Sequence, residues 1–168
     1  DNFNSRGVDI SADMVRVIQE KGLYAEQSNL TKLPDHLLEN DYITAFDVFE
    51  HSDKPGTAIN QAKKALTDKG YLVFSTLSVK TLKPTEYWFN HSLEHYTYYT
   101  KESLKRILID IFGAKNFAFI EIEINGVAEF WGIASKQPIK VSDKKLLASI
   151  DKGEEISGIA RSYYLSLF

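Results

Sequence analysis

The sequence predicts an α/β domain: a mostly parallel sheet with helices on both faces, closed by an antiparallel hairpin. Three observations carry this. Residues 42–48 are apolar and β-rich with no helical period, so they form a buried strand. Pro55-Gly56 breaks the chain, Ala58, Ile59, Ala62, Ala65 and Leu66 recur at helical spacing, and Asp68-Lys69-Gly70 stops the helix before a second apolar strand at 71–76. Strand, helix and strand in so short a span make a βαβ unit with parallel strands. Finally, Asn125-Gly126 between two alternating runs is a strong hairpin signal.

Composition narrows the classes. The 168 residues suffice for one core with an appendage, and 43% hydrophobic with 26% charged residues is ordinary for a globular chain. A formal charge of −3 without a basic cluster gives nucleic-acid binding no electrostatic support. No cysteine is present, which excludes disulfides and thiolate chemistry. No apolar run approaches the roughly 18 residues of a membrane span, and no signal peptide is recognisable, so a cytoplasmic chain is the expectation. The first residue is Asp rather than Met, which suggests a segment of something longer.

In order along the chain, Arg6 to Ile10 is a short strand candidate, and Ser11 caps a helix through Met14, Val15, Val17 and Ile18 that stops at Lys21-Gly22. Residues 23–26 form a further short strand, 29–34 a loop, and 35–40 one helical turn. Residues 78–99 lack a period and hold Pro84, Trp88 and two histidines, so they are either a lid over a site or an element whose pattern the sequence conceals. Thr100, with Glu102 and Ser103 in the first turn, opens a helix through Leu104, Leu108 and Phe112 to Gly113. The hairpin strands are 117–124 and 127–135. A domain boundary falls at 137/138. Beyond it Ser142 caps a short helix, and Ile156, Ile159, Ala160, Tyr163, Tyr164 and Leu167 make an apolar stripe that docks on the body or leads to a further domain after residue 168.

The motifs in sequence order resemble a known family. Gly7-Val8-Asp9-Ile10-Ser11, Asn29-Leu30 ahead of Leu33-Pro34, Phe46-Asp47-Val48-Phe49-Glu50-His51, and Lys69-Gly70-Tyr71-Leu72-Val73-Phe74-Ser75-Thr76 are similar to class I S-adenosylmethionine-dependent methyltransferases. The nearest group carries an aspartate-x-x-glutamate-histidine segment after its fourth strand. Glu94-His95, the Tyr-Thr-Tyr-Tyr-Thr-Lys-Glu-Ser-Leu run and the closing hairpin extend the resemblance over residues 5–136. It implies a Rossmann-like three-layer sandwich. The family's first strand and glycine-rich loop should precede Gly7, and residues 1–5 do not supply them, so the first strand is expected to be missing and residues 1–137 to be an N-terminally truncated domain.

The resemblance also assigns roles. It implies S-adenosylmethionine as cofactor and a small-molecule or glycan acceptor, methylated at oxygen. Asp9 would accept hydrogen bonds from the ribose hydroxyls, a role generic to nucleotide cofactors. Ile10 would pack on adenine, with Met14 a further candidate; Asn29 and Leu30 would meet the adenine edge, and Phe46 and Asp47 the methionine end. Asn29 reads equally as a turn residue.

Glu50 and His51 are the sharpest candidates, as shapers of the acceptor pocket with His51 the general base. Alternatively Asp47, Glu50, His51 and His95, with His91 as fallback, hold a divalent Mg²⁺ or Mn²⁺, as in metal-dependent RNA-type 2′-O-methyltransferases. In the plainer reading Glu50 caps a segment and His95 is a structural residue. His36 is an exposed loop histidine. Trp88, Phe89, Tyr96, Tyr98 and Tyr99 either line the acceptor pocket or fill the core. A NAD-dependent oxidoreductase on a similar sheet and a non-catalytic scaffold are the rival classes.

Overall fold

A computed structural model describes residues 4–81, 94–124 and 126–140 of the chain. Strand β1 (Gly7–Asp9) leads into helix α1 (Ala12–Glu20), which Ser11 caps by accepting from the Met14 amide at 3.3 Å. Gly22, at φ 76°, turns the chain out of α1. Strand β2 (Ala25–Gln27) then pairs with β1 in parallel. A 3₁₀ turn at Asp35–Leu37 precedes β3 (Asn40–Ala45), and another at Phe49–His51 precedes α2 (Pro55–Ala65). β4 (Leu66–Leu77), α3 (Lys101–Phe112), β5 (Phe117–Ile124) and β6 (Val127–Ser135) complete the fold.

The strands form two sheets. β1 and β2 make a parallel pair on which α1 packs, and β3-β4-β6-β5 make a four-stranded sheet. Within the latter, β3 and β4 are parallel, while β4–β6 and β5–β6 are antiparallel. Parallel and antiparallel pairings are therefore equally represented among the described residues. The main core lies between this sheet and α2 and α3. Leu72 and Phe74 of β4 and Phe130 and Ala134 of β6 meet Ala58, Ile59 and Ala62 of α2 and Leu104, Leu108 and Phe112 of α3, all buried.

The hairpin strands and the Thr100 start of α3 fall where the sequence places them. Thr100 and Ser103 exchange reciprocal backbone-to-side-chain bonds, a capping box built with serine. Two boundaries differ. β3 ends at Ala45 rather than running to Val48, because Asp47 adopts φ 52° and turns the chain out of the sheet. The helix stops at Ala65, so Leu66 belongs to β4 and Gly70 is not its terminator. The Asn40 side-chain amide donates to the carbonyls of Leu37 and Ala65 and holds the helix end there. Between the pairs Asn40–Leu66 and Tyr42–Tyr71 the register shifts, and a Cβ at Gly70 would lie 2.6 Å from Asn40 O. Gly70 thus serves close strand approach at a bulge.

The Trp88, Phe89 and His91 candidates, Asn125 and the helices expected beyond residue 141 lie outside the described residues. No helix among the described residues is long and apolar enough to cross a membrane.

Candidate active site

The site assembles where β3 ends. Asp47 has its amide bonded to Ser75 Oγ at 3.0 Å and its Oδ1 accepting from the same hydroxyl at 2.8 Å, so a left-handed residue is pinned to the neighbouring strand. From there Val48 and the 3₁₀ turn fold back over the strand end. Phe49 and Glu50 become fully buried while His51 stays exposed. Residues 94–99 close against this turn. The Tyr96 and Thr97 amides both donate to Glu50 O, at 2.8 and 3.1 Å, and the Tyr99 hydroxyl donates to Phe49 O at 3.4 Å.

That seam brings together Glu50, His51 and His95, whose candidate ligand atoms lie within 4.8 Å of one another. The two imidazole rings are 4.5 Å apart, and Tyr98 meets His95 edge-on at 5.9 Å. Glu50 Oε2 accepts from the Thr76 hydroxyl at 2.7 Å, whereas the buried Oε1 has no partner among the described residues. His95 Nδ1 is likewise buried and unpartnered among them. His51 Nδ1 lies 3.0 Å from the Glu94 carbonyl. A carbonyl only accepts, so Nδ1 carries the hydrogen and the lone pair of neutral His51 sits on Nε2.

Burial pushes the Glu50 carboxyl above the usual carboxylate range, with the Asp47 charge adding to it and the Thr76 hydrogen bond opposing. Burial, and then the charge of His51, hold His95 below its ordinary value, so its neutral form is favoured. Tyr99 is pushed up by burial and by Glu50, and its ring is part of the core rather than of a pocket wall. Tyr96 is exposed.

The cofactor candidates fall at the ends of three strands, β1, β2 and β3. Asp9 closes β1; its Oδ1 accepts from the Ser11 amide at 2.8 Å, and Oδ2 has no partner among the described residues. Ile10 beside it is 69% exposed, an apolar side chain open to a ligand, while Met14 is half-buried on α1. Asn29 is exposed, and its Oδ1 accepts from both the amide and the hydroxyl of Thr31 at 2.8 Å, leaving its Nδ2 as the group open to a base edge. Leu30 packs against the core. Phe46, 46% exposed, tilts against Trp131 at 5.4 Å. Asp47 is not part of the Glu50–His51–His95 cluster, because Ser75 holds its carboxylate. His36 contacts Glu26 at 2.8 Å on the surface.

Sequence reasoning passed over Thr76 and Ser75, the hydroxyls that fix Glu50 and Asp47. Two consecutive hydroxyls at the end of the apolar run 71–76 were the available signal. The Glu94 carbonyl that orients His51 left none.

Comparison with known proteins fits this geometry. A family model described as a methyltransferase domain matches residues 2–116. No curated protein matches the chain. Among solved structures, a SAM-dependent methyltransferase from Thermotoga maritima is 18% identical, with TM-score 0.62 over 79% of this chain and 73% of that one. One from Methanosarcina mazei is 13% identical, with TM-score 0.58 over 77% and 81%. The magnesium protoporphyrin IX methyltransferase of Synechocystis, solved with bound SAH, is 17% identical, with TM-score 0.56 over 77% and 63%. The chain belongs to the methyltransferase-domain family, with the Rossmann-like fold of class I S-adenosylmethionine-dependent methyltransferases, and that membership implies S-adenosylmethionine as its cofactor.

Proposed function

We propose that this chain transfers a methyl group from S-adenosylmethionine to an oxygen of a small-molecule or glycan acceptor, with His51 as the base. The observation that carries this reading is the fixed tautomer of His51. Its Nδ1–H is held by the Glu94 carbonyl, and Nε2 is left with a lone pair at an exposed rim. Bound S-adenosylmethionine supplies a methyl already activated on a sulfonium. The protein's own share is positioning and proton removal. Nε2 of His51 would take the proton of the acceptor hydroxyl as the methyl carbon passes from the sulfonium sulfur to that oxygen, leaving the neutral thioether, and Glu50 holds the turn that carries His51.

The cofactor fits the chain's own residues. A carboxylate oxygen of Asp9 beside an exposed Ile10 suits a ribose next to an adenine face, and Phe46 with Asp47 suits the opposite end of the molecule. We also propose a further strand between β1 and β3, as in the family's first strand. Each of these strands is paired on one edge only among the described residues. Arg6, just ahead of β1, donates to Asn40 Oδ1 at 2.9 Å and to the His36 carbonyl, tying the start of β1 to that of β3. One intervening strand needs about 9.6 Å there, twice the usual spacing.

Two measurements test this. S-adenosylhomocysteine and NAD are titrated calorimetrically into the protein, and heat with NAD alone removes the assignment. Transfer of labelled methyl to panels of sugar, phenol and amine acceptors is then scored in His51→Ala. Unchanged oxygen methylation in that variant removes His51 as the base.

A further inference from the structure

We infer that the outer edge of β5 pairs with the same edge of a second copy of this chain, about a two-fold axis at Ile120. The four-stranded sheet has two open edges among the described residues, β3 and β5. The β3 edge takes the intervening strand proposed above, which leaves β5. This strand, Phe117–Ile124, matches β6 residue for residue, with no bulge to twist it away. It also holds neither lysine nor proline, the residues that usually blunt an exposed edge.

The hydrogen bonds show which backbone groups are open. Asn116 O accepts from the Ser135 amide at 2.9 Å, so residues 116, 118, 120 and 122 turn their backbone groups toward β6 by alternation. The N–H and C=O groups of Phe117, Phe119, Glu121 and Glu123 therefore point outward, where they meet no partner among the described residues. Just before them, the Ile139 amide donates to Lys115 O at 2.8 Å and covers the start of the edge.

These features select one partner and one register. Antiparallel pairing about Ile120 uses all four outward residues, with Phe117 opposite Glu123 and Phe119 opposite Glu121. Pairing about Ala118 or Phe119 would need Lys115 O, which Ile139 already holds. Pairing about Glu121 or Ile122 sets glutamate directly opposite glutamate, which is destabilising. About Ile120, the other sheet face brings Ile120 onto its own copy and Ala118 onto Ile122, apolar pairs throughout. The charge nearest the axis is matched within each copy, since Glu121 accepts from Ser78 Oγ and lies 3.8 Å from Lys80 Nζ. Such a contact is self-complementary and closes at two copies. It is independent of the methyl-transfer reading.

The full chain is sedimented to equilibrium over an about hundredfold range of concentration. We expect a monomer–dimer equilibrium, with association at least about tenfold weaker in Glu123→Pro and in Ala118→Lys. The proline removes one outward N–H and leaves the β6 ladder intact, and the lysine sets a charge opposite Ile122. The register is read with a single thiol, because the chain has no cysteine. Residues facing across the axis at Ile120 have Cα atoms about 4.5 Å apart, within disulfide reach. The two copies of Ile122 lie on the order of 14 Å apart, four residues out of step. Ile120→Cys should therefore oxidise to a covalent dimer at least about tenfold faster than Ile122→Cys.

A chain that stays monomeric throughout overturns the proposal, whether the edge is open or covered by residues beyond 140. A dimer that neither Glu123→Pro nor Ala118→Lys weakens overturns it too, as a contact made elsewhere. So does a thiol at position 120 that links no faster than one at position 122. Should the proline and lysine variants fail to fold, the two thiol variants decide the matter alone.

Discussion

Thr76 donates its hydroxyl to Glu50 Oε2 at 2.7 Å, and both residues are fully buried on the sheet face that carries α2 and α3. This bond joins the end of β4 to the turn after β3, and with it the acid side of the site to the core. The other carboxylate oxygen of Glu50, Oε1, has no partner among the described residues.

The acid has a signature in pH. Burial raises the Glu50 carboxyl above its ordinary value of 4.5, so the folded chain keeps that proton to a higher pH than the unfolded chain does. Its contribution to stability is fully present below the unfolded value and is lost as pH rises through the folded one. In the presence of chelator, Glu50→Gln removes that loss. Melting temperature measured from pH 4 to pH 8 should therefore show the glutamine variant gaining on the wild type as pH rises. A constant difference would mean that Glu50 is not held in its neutral form.

Asp9 offers the clearest test of cofactor placement. In a longer polypeptide that carries the family's first strand ahead of Gly7, Asp9→Ala is expected to weaken S-adenosylhomocysteine binding by about 1–3 kcal/mol, the range for hydrogen bonds made by a charged group. Asp9→Asn keeps an acceptor for the Ser11 amide and separates the loss of the turn from the loss of the ligand contact. Calorimetry that finds equal affinity in wild type and Asp9→Ala takes Asp9 out of the site.

Gly132 sits where the sheet leaves no room for a side chain. A Cβ there would lie 2.4 Å from Phe74 Cζ and 2.8 Å from Phe119 Cβ. Gly132→Ala should destabilise the fold by about 1–3 kcal/mol in urea unfolding, as overpacking does. Phe74→Leu on the same background should recover part of that loss, since it withdraws the ring atoms in the way. Additive effects of the two substitutions would show that the ring is not the obstacle.

Helix α3 predicts its own contrast. Leu104 is fully buried between α2 and the sheet, and Ile109 on the same helix is 38% exposed. Leu104→Ala should cost about 2–5 kcal/mol and Ile109→Ala under about 1 kcal/mol in the same urea series.

Much of the architecture was legible because it follows from local rules. The hairpin strands and the Ser11 and Thr100 caps were recoverable from alternation and capping residues alone. The end of α2 was not, because the residue that fixes it, Asn40, is distant in sequence and acts through its side-chain amide. The early exit of β3 was hidden for a similar reason. Residues 42–48 read as one apolar run, and only the grip of Ser75 on Asp47 breaks it. At the site, family resemblance pointed to Glu50, His51 and His95, and their meeting depends on the Tyr96 and Thr97 amides reaching back to Glu50 O. Backbone contacts of that kind leave no trace in residue type.

The left-handed turn at Asp47 sets a phase for everything that follows it. Two consecutive residues, a carboxylate and an imidazole, are sorted one inward and one outward by where that turn falls. Deleting a single residue between Asp47 and Glu50 would bring His51 to the buried station that Glu50 holds, and adding one would carry Glu50 to the exposed station of His51. Short of such an indel, substitutions in this stretch change what the site does; the indel changes which residue stands guard at all.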